Sequence, residues 1–309
     1  MTPLNAKSMG VFYDLAFQEA SGINPSVEFS DILRHREESI IAASLEKHLG
    51  DSLVLFDSAL ALYQSVLEIF KEAAAKDNED ITYLVLSSKI FSLMLGMRKL
   101  LYAGHTDSYK CLLRPLLESH DTFYTSLVNS DFSKEYGNIT SLYDNNDFWY
   151  RKGKGNKIKK FIHQLYRILG ADTDFISDFD DRRENQQRYL SESLHSSFNA
   201  SFSTYFTPTL DGDMRHMYGD VTVSYPLLIL NTIDEASHFH HILKAVCEKD
   251  DLLNLSFAPY FKENVLYNYR FDKFALLYQA YRPALFELKE ETNAAFHKLA
   301  EQPGFNFSS

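Results

Sequence analysis

Apolar residues recur three and four positions apart along almost the whole chain. In one stretch Leu53, Phe56, Leu60, Tyr63, Val66, Leu67 and Phe70 follow this rule. A spacing of about 3.6 residues places such side chains on one face of a helix, where they must find a partner surface. The pattern predicts helices at Ser30–Leu49, with Ser30 as N-cap, and at Asp51–Lys76, with Gly50 between them. Further helices are expected at Asp80–Ala103, ended by Gly104, and from Thr106, as cap, to about Asn129, with Pro115 inside it. Asp131–Asp147 is rich in Asn, Ser, Asp and Gly and reads as irregular. Helices resume up to Leu169, ended by Gly170, then at Asp172–Leu194, Pro226–Lys249 and Phe261–Ala300, the last with a kink expected near Pro283. Turn signals at Asp211–Gly212 and Gly219–Asp220, with alternation over Val221–Tyr225, predict a long loop or small hairpin near 201–225. The fold class is therefore all-α, a bundle of seven to nine helices.

Charge narrows the function classes. With 31 basic and 42 acidic residues the net charge is −11, which does not suit a protein that coats nucleic acid over its whole surface. Two cysteines, Cys111 and Cys247, are no disulfide framework. Met1–Gly10 has no apolar run of signal-peptide length, and Leu53–Phe70 and Ile81–Met97 carry charges, so they read as buried helices. A cytoplasmic protein with no membrane association is expected.

Four constellations carry chemistry. The first is Arg followed by His after four to six residues, at Arg98–His105, Arg114–His120 and Arg188–His195. A helix turns about 100° per residue, so a spacing of seven returns to nearly the same face, and Arg188 with His195 fits best. The alternative for Arg188 is a solvated face, paired with Glu184 or Glu192. The second is Arg114 with Glu118, four apart among leucines, either a buried structural pair or part of a polar site.

The third is Glu-x-x-His, at Glu192–His195 and Glu235–His238, with Glu118 and Glu68 as further carboxylates for a di-metal bundle site. The alternative makes His238, His240 and His241 a polar helix face. The fourth is the basic run Arg151–Lys160, six cations in ten residues, preceded by Phe148, Trp149 and Tyr150. Aromatic rings beside cations suit single-stranded nucleic acid, with Trp149, Lys152, Lys154 and Lys157 as the binding candidates. The alternative is a solvated loop pairing with the acidic run Asp172–Asp181. Hydrolase, zinc and dinucleotide motifs are absent, and neither a cofactor nor a resident metal is expected.

At Arg114-Pro-Leu-Leu-Glu118 and Tyr189-Leu-Ser-Glu-Ser-Leu-His195 the chain resembles a group of bacterial helical proteins similar to the HEPN superfamily (higher eukaryotes and prokaryotes nucleotide-binding). The resemblance covers Asp80–Lys249 and departs from the pattern at Tyr189, where a polar residue usually follows the Arg. It implies a helical bundle, often dimeric, with Arg and His near the dimer axis, and metal-independent ribonuclease activity in toxin or anti-phage systems. In that role His195 moves a proton, Arg188 or Arg114 held by Glu118 stabilises the phosphorane, and Trp149–Lys160 guides the strand. The expected partners are RNA and a second copy or another protein.

The competing reading is a non-catalytic interaction or sensor module in a defence operon. It docks through Tyr267, Tyr269, Phe271, Phe274, Tyr278 and Tyr281 unless these are core. Domain organisation reads as an N-terminal helical extension at 1–50, a HEPN-like bundle at 51–250 and a long C-terminal helix at 251–309, or as one domain.

Overall fold

The stripe Leu45, Leu49, Leu53, Phe56 continues straight through Gly50, and a single helix, α1 (Ala42–Lys76), forms where two were expected. A glycine inside a helix costs about 1 kcal/mol. Burying Leu49 and Leu53 on either side returns about 1.5–3 kcal/mol each, so packing overrides the local preference. The computed structural model describes residues 15, 18–20, 34–76, 81–139, 141–153, 157–192, 207–213 and 219–300, without the side chains of 142, 192, 250, 251 and 295–300. Ser30 and the tail after Ala300 lie outside the described residues.

A π-helical turn, Arg36–Ile41, leads into α1. Next come α2 (Ile81–Tyr102) and α3 (Thr106–Val128), joined through Gly104 at φ +74°. Thr106 does not cap α3: His105 takes that position without a side-chain bond, and the Thr106 hydroxyl meets that of Thr222 at 3.1 Å in the core. Pro115 lies within α3 and supplies no amide to the turn before it.

The stretch expected to be irregular forms two short helices, α4 (Ser130–Gly137) and α5 (Leu142–Phe148). Their caps are local. Asn129 Oδ1 accepts from the Phe132 amide at 3.0 Å, and Ser141 Oγ accepts from the Asp144 amide at 3.1 Å. Phe132, Tyr136 and Phe148 then pack together. A second π-helical turn, Trp149–Gly153, follows.

Helix α6 (Lys159–Leu169) stops at Gly170, φ +91°, and α7 (Thr173–Glu192) starts with Asp172 accepting from the Phe175 amide at 2.8 Å. Thr209 and Thr222 form one antiparallel bridge, the remnant of the expected hairpin. Helix α8 (Tyr225–Glu248) follows, then α9 (Asp250–Leu253), α10 (Ala258–Glu263) and α11 (Val265–Ala300). The expected final helix divides at Asn264, whose side chain accepts from the Tyr267 amide at 2.8 Å.

Among the described residues there are eleven helices and no strand, seven of them long and four of eight residues or fewer. Helix α1 packs against α2, α8 and α11, and α3 against α2, α6, α7 and α8. Aromatic rings knot the centre: Phe70 lies 4.9 Å from Phe257 and 5.1 Å from Phe261, and Tyr83 lies 4.9 Å from Phe257. The α11 aromatics mostly join this core. Tyr267, Phe271 and Phe274 are buried, Tyr278 and Tyr281 half-buried, and Tyr269 is exposed. They are therefore not a continuous docking face. One helical stretch among the described residues, Arg36–Lys76, is long and apolar enough to cross a bilayer, but more than half of its most apolar window is buried inside the protein. A mostly buried core helix passes the same test of length and composition.

Candidate functional site

The site grows from α3. In Leu113-Arg-Pro-Leu-Leu-Glu-Ser-His-Asp121 the leucines at 113, 116 and 117 face the core, and Arg114 and Glu118 sit one turn apart at its edge, half-buried. Arg114 Nε donates to Glu118 Oε1 at 3.2 Å, and Arg114 Nη1 donates to Ser191 Oγ on α7 at 2.9 Å. Ser119 answers Pro115 by donating its hydroxyl to the Pro115 carbonyl at 2.6 Å. The next two residues, His120 and Asp121, turn inward.

There they meet charges from two other helices. Arg183 of α7 is buried and donates through both terminal nitrogens to Glu235 of α8, at 3.2 and 2.9 Å. Its Nη2 also lies 3.0 Å from Asp121 Oδ1, but without the direction of a hydrogen bond. Glu235 Oε1 lies 2.9 Å from His120 Nδ1, and His120 Nε2 lies 3.1 Å from the Tyr63 hydroxyl of α1. The carboxylate can only accept, so His120 carries its proton on Nδ1 and Tyr63 donates to Nε2. Beside this chain, Tyr166 of α6 meets His238 Nε2 at 2.7 Å.

Burial alone would push Glu235 upward, but the Arg183 charge and the His120 bond hold it well below the usual carboxylate range. Burial pushes Asp121 up to about 6, against the partial counter-pull of Arg183. The buried imidazoles stay neutral: burial lowers His120 despite Glu235, and drives His238 down to about 3.

Outward from Asp121 and Arg183 opens a cavity of about 440 Å³. Helix α3 contributes Arg114, Glu118 and Asp121 to its wall, and α7 contributes Asp180, Arg183, Glu184 and Gln187. Trp149 and Gly153 of the π-helical turn, with Ile158 and Lys159 at the start of α6, complete it. Three cations and four carboxylates therefore face one space that has an aromatic ring in its wall. Lys159 pairs with Asp180 at 2.8 Å, and His163 meets the same carboxylate at 3.0 Å. The size suits a small organic ligand or one nucleotide of a strand.

The candidates from the sequence fall in different places. Arg114, Glu118 and Trp149 converge on the cavity. Arg188 does not line it; it is exposed and pairs with Glu184 at 3.0 Å, as its alternative reading held. His195 and Lys154 lie outside the described residues. Lys157 is tied to the carbonyls of Tyr150 and Arg151 at 3.0 and 2.8 Å, and Lys152 lies 3.5 Å from Glu135. Arg151 is held by Asp147 and Glu135. Within the basic run Arg151 and Lys152 are thus balanced by Glu135 and Asp147, Lys157 by backbone carbonyls and Lys159 by Asp180 of the acidic run.

Of the Glu-x-x-His pairs, Glu235 is committed to Arg183 and His120, and His238 to Tyr166. Glu68 is exposed and takes a bond from Gln64 at 3.0 Å. No three His, Cys, Asp or Glu side chains gather as metal ligands among the described residues. The expected polar histidine face is corrected too. His240 is fully buried and His238 half-buried, because α8 is covered by α1, α3 and α11; His241 alone of the three is exposed.

Sequence reasoning missed Asp121 and Arg183, and read Glu235 as a metal-site carboxylate with His238 rather than as the partner of Arg183. A signal existed. Ile176, Phe179, Arg183 and Leu190 form one buried stripe of α7, and Leu228, Thr232, Glu235 and Phe239 one of α8. A charge standing on an apolar stripe announces a buried partner. No protein-family model, curated protein or solved structure matches this chain.

Proposed function

We propose that this chain is a cytoplasmic HEPN-like helical protein that binds and cleaves single-stranded RNA without a metal, in a toxin or anti-phage defence system. The observation that carries this reading is convergence: Arg114 with Glu118, and Trp149, come from separate parts of the sequence and line one cavity. A nucleobase stacks on the Trp149 ring, and its phosphate meets Arg114 beside Lys159. Charge that develops on a phosphorane is stabilised by the same guanidinium, which Glu118 and Ser191 hold in place. A second copy of the chain is the proposed partner.

The test uses the purified full chain, a labelled single-stranded oligoribonucleotide and a chelator. Cleavage to products ending in a 2′,3′-cyclic phosphate, lost in Arg114→Ala, supports the reading. RNA left intact, with binding unchanged in Arg114→Ala and Trp149→Ala and cell toxicity unchanged in His195→Ala, removes it.

A second reading, the non-catalytic sensor module, draws on a different observation. The cavity's cations all have carboxylate partners: Arg114 has Glu118, Lys159 has Asp180, and Arg183 has Asp121 and Glu235. A neutral aromatic ligand, such as a free nucleoside, breaks none of these pairs. Saturable binding of a nucleoside without RNA binding or cleavage selects this reading.

A further inference from the structure

Of the four carboxylates around the cavity, three are spoken for in the open. Glu118 is bonded to Arg114, Asp180 to Lys159 and His163, and the exposed Glu184 to Arg188. Asp121 differs. Its side chain is 13% exposed, it reaches the cavity wall, and its only charged partner within ion-pair distance among the described residues is Arg183. That guanidinium is already spent on Glu235, which takes two hydrogen bonds from it and a third from His120. One cation is therefore shared by two buried carboxyl groups while His120 stays neutral. Two buried negative charges on one positive leave a surplus, and the less well bonded carboxyl relieves it by holding a proton. Glu235 has the better bonds, so Asp121 is the one of the two that accepts a proton readily.

The geometry points to Asp121 as the group that takes up and releases protons in the cavity, with Arg183 as its positioning residue; its catalytic use rests on the reading of the cavity as an RNA site. Every element around it contributes to this setting. Glu118 acts on Asp121 from its own helix, Arg183 from α7, Tyr166 from α6 and Glu235 from α8; Lys159 of α6 lines the same cavity, and His120, His238 and Tyr124 surround Glu235, with Tyr63 of α1 behind His120. Burial with half-neutralisation leaves the Asp121 carboxyl at about 6, so that near neutral pH it is mainly carboxylate yet far more basic than an ordinary aspartate.

In the cleavage step the Asp121 carboxylate takes the proton of the ribose 2′-hydroxyl. The 2′-oxygen bonds to phosphorus, the bond from phosphorus to the 5′-oxygen breaks, and the same proton passes from Asp121 to that leaving oxygen. The products are a 2′,3′-cyclic phosphate and a 5′-hydroxyl, and Asp121 returns to carboxylate.

Carbon-13 NMR of the full chain labelled at aspartate carboxyls tests the proton exchange directly, with Asp121→Asn identifying the resonance. One aspartate titrating near 6 and missing in the variant is expected. An Asp121 midpoint below about 4.5 overturns the proposal. In the cleavage assay Asp121→Asn is expected to lose about a hundredfold in rate while still binding the oligoribonucleotide. Asp121→Glu is expected to restore part of the rate with a displaced pH profile. Asp121→Asn that cleaves like the parent chain overturns the catalytic role. RNA untouched by the parent chain at every pH sinks the RNA reading, and the NMR titration then decides the proton exchange by itself.

Discussion

Arg183 and Glu235 face each other in the middle of the bundle with two hydrogen bonds, 2.9 and 3.2 Å, and almost no access to water. The pair ties α7 to α8, and through His120 and Asp121 it also ties in α3. Removing the cation leaves two buried carboxyl groups facing each other. Arg183→Met is expected to destabilise the fold by about 3–5 kcal/mol, measured by urea unfolding at neutral pH. Glu235→Gln should cost less, because Asp121 then recovers the whole guanidinium. Equal costs for the two variants would contradict the shared-cation account.

Acid should weaken this protein before ordinary carboxylates titrate, and the sign follows from three imidazoles. His238 is driven down to about 3, and His120 and His240 move the same way through burial. An unfolded imidazole titrates near ~6.5, so below that value the unfolded chain binds protons that the fold refuses. Their contribution is complete above ~6.5 and is lost as pH falls toward the folded values, up to about 2 kcal/mol for each ring at pH 5. Asp121 runs the other way. Its folded value of about 6 exceeds the unfolded ~3.9, so its contribution is complete at low pH and is lost as pH rises through 6. Three groups outweigh one, and the urea midpoint is expected to fall between pH 7.5 and 5. Asp121→Asn should steepen the fall. A flat midpoint over this range contradicts the buried neutral histidines.

His240 isolates one part of that effect. Both of its ring nitrogens are buried without a hydrogen-bond partner among the described residues, against the Tyr63 ring at 4.5 Å. An unsatisfied buried polar group costs about 1–3 kcal/mol. His240→Phe keeps the ring and removes the polar atoms. It should stabilise the fold at pH 7 by about 1 kcal/mol and by more at pH 5. A destabilised variant would mean that the imidazole nitrogens have work to do.

These buried groups also mark where sequence reading reaches its limit. Periodicity carries the helices because it is a property of neighbours: the stripe from Leu45 to Phe70 is visible in the chain and is buried in the fold. Gly50 misleads because its local cost is small beside the packing on either side. The caps Asn129 and Ser141 pass unseen because α4 and α5 are too short to show a period. Arg114, Glu118 and Trp149 are each legible as candidates, but their meeting depends on how α6 and α7 lie against α3. Arg183 and Glu235 stand 52 positions apart, and only packing joins them.

The approach of Gly219 and Asp220 to the turn between α2 and α3 depends on two glycines. Gly219 holds φ +106° and Gly104 φ +74°, both left-handed, and the Asp220 amide donates to the Gly104 carbonyl at 3.2 Å. A Cβ on Gly219 would stand 2.5 Å from the Ala103 carbonyl oxygen, and one on Gly104 would stand 2.5 Å from the Asp220 nitrogen. Arg36 also donates to the Gly219 carbonyl at 2.9 Å, so the π-helical turn that leads into α1 is attached to the same point. Gly219→Ala is expected to cost about 2 kcal/mol or more in urea unfolding, from strain and contact together. Gly212, with φ +86° but nothing within 4 Å of its Cβ position, should cost less on the same change.

Trp149 supplies the most direct reading of the cavity, because it is the chain's single tryptophan. Its ring is 40% exposed at the cavity wall, against Gly153. Tryptophan emission from the native protein therefore comes from that wall alone. A base stacking on the ring should quench it, and a saturable change on adding a single-stranded oligoribonucleotide is expected. Base stacking on an aromatic side chain contributes about 1–3 kcal/mol. Trp149→Ala should thus weaken binding about 5- to 150-fold, measured by anisotropy of the labelled strand. Gly153→Ala probes the same point without touching the ring. Its Cβ would run into the Trp149 ring and displace it, so emission should shift in the absence of any ligand, and binding should weaken. If the strand binds with unchanged affinity in both variants, it does not enter this cavity, whatever else the protein does with RNA.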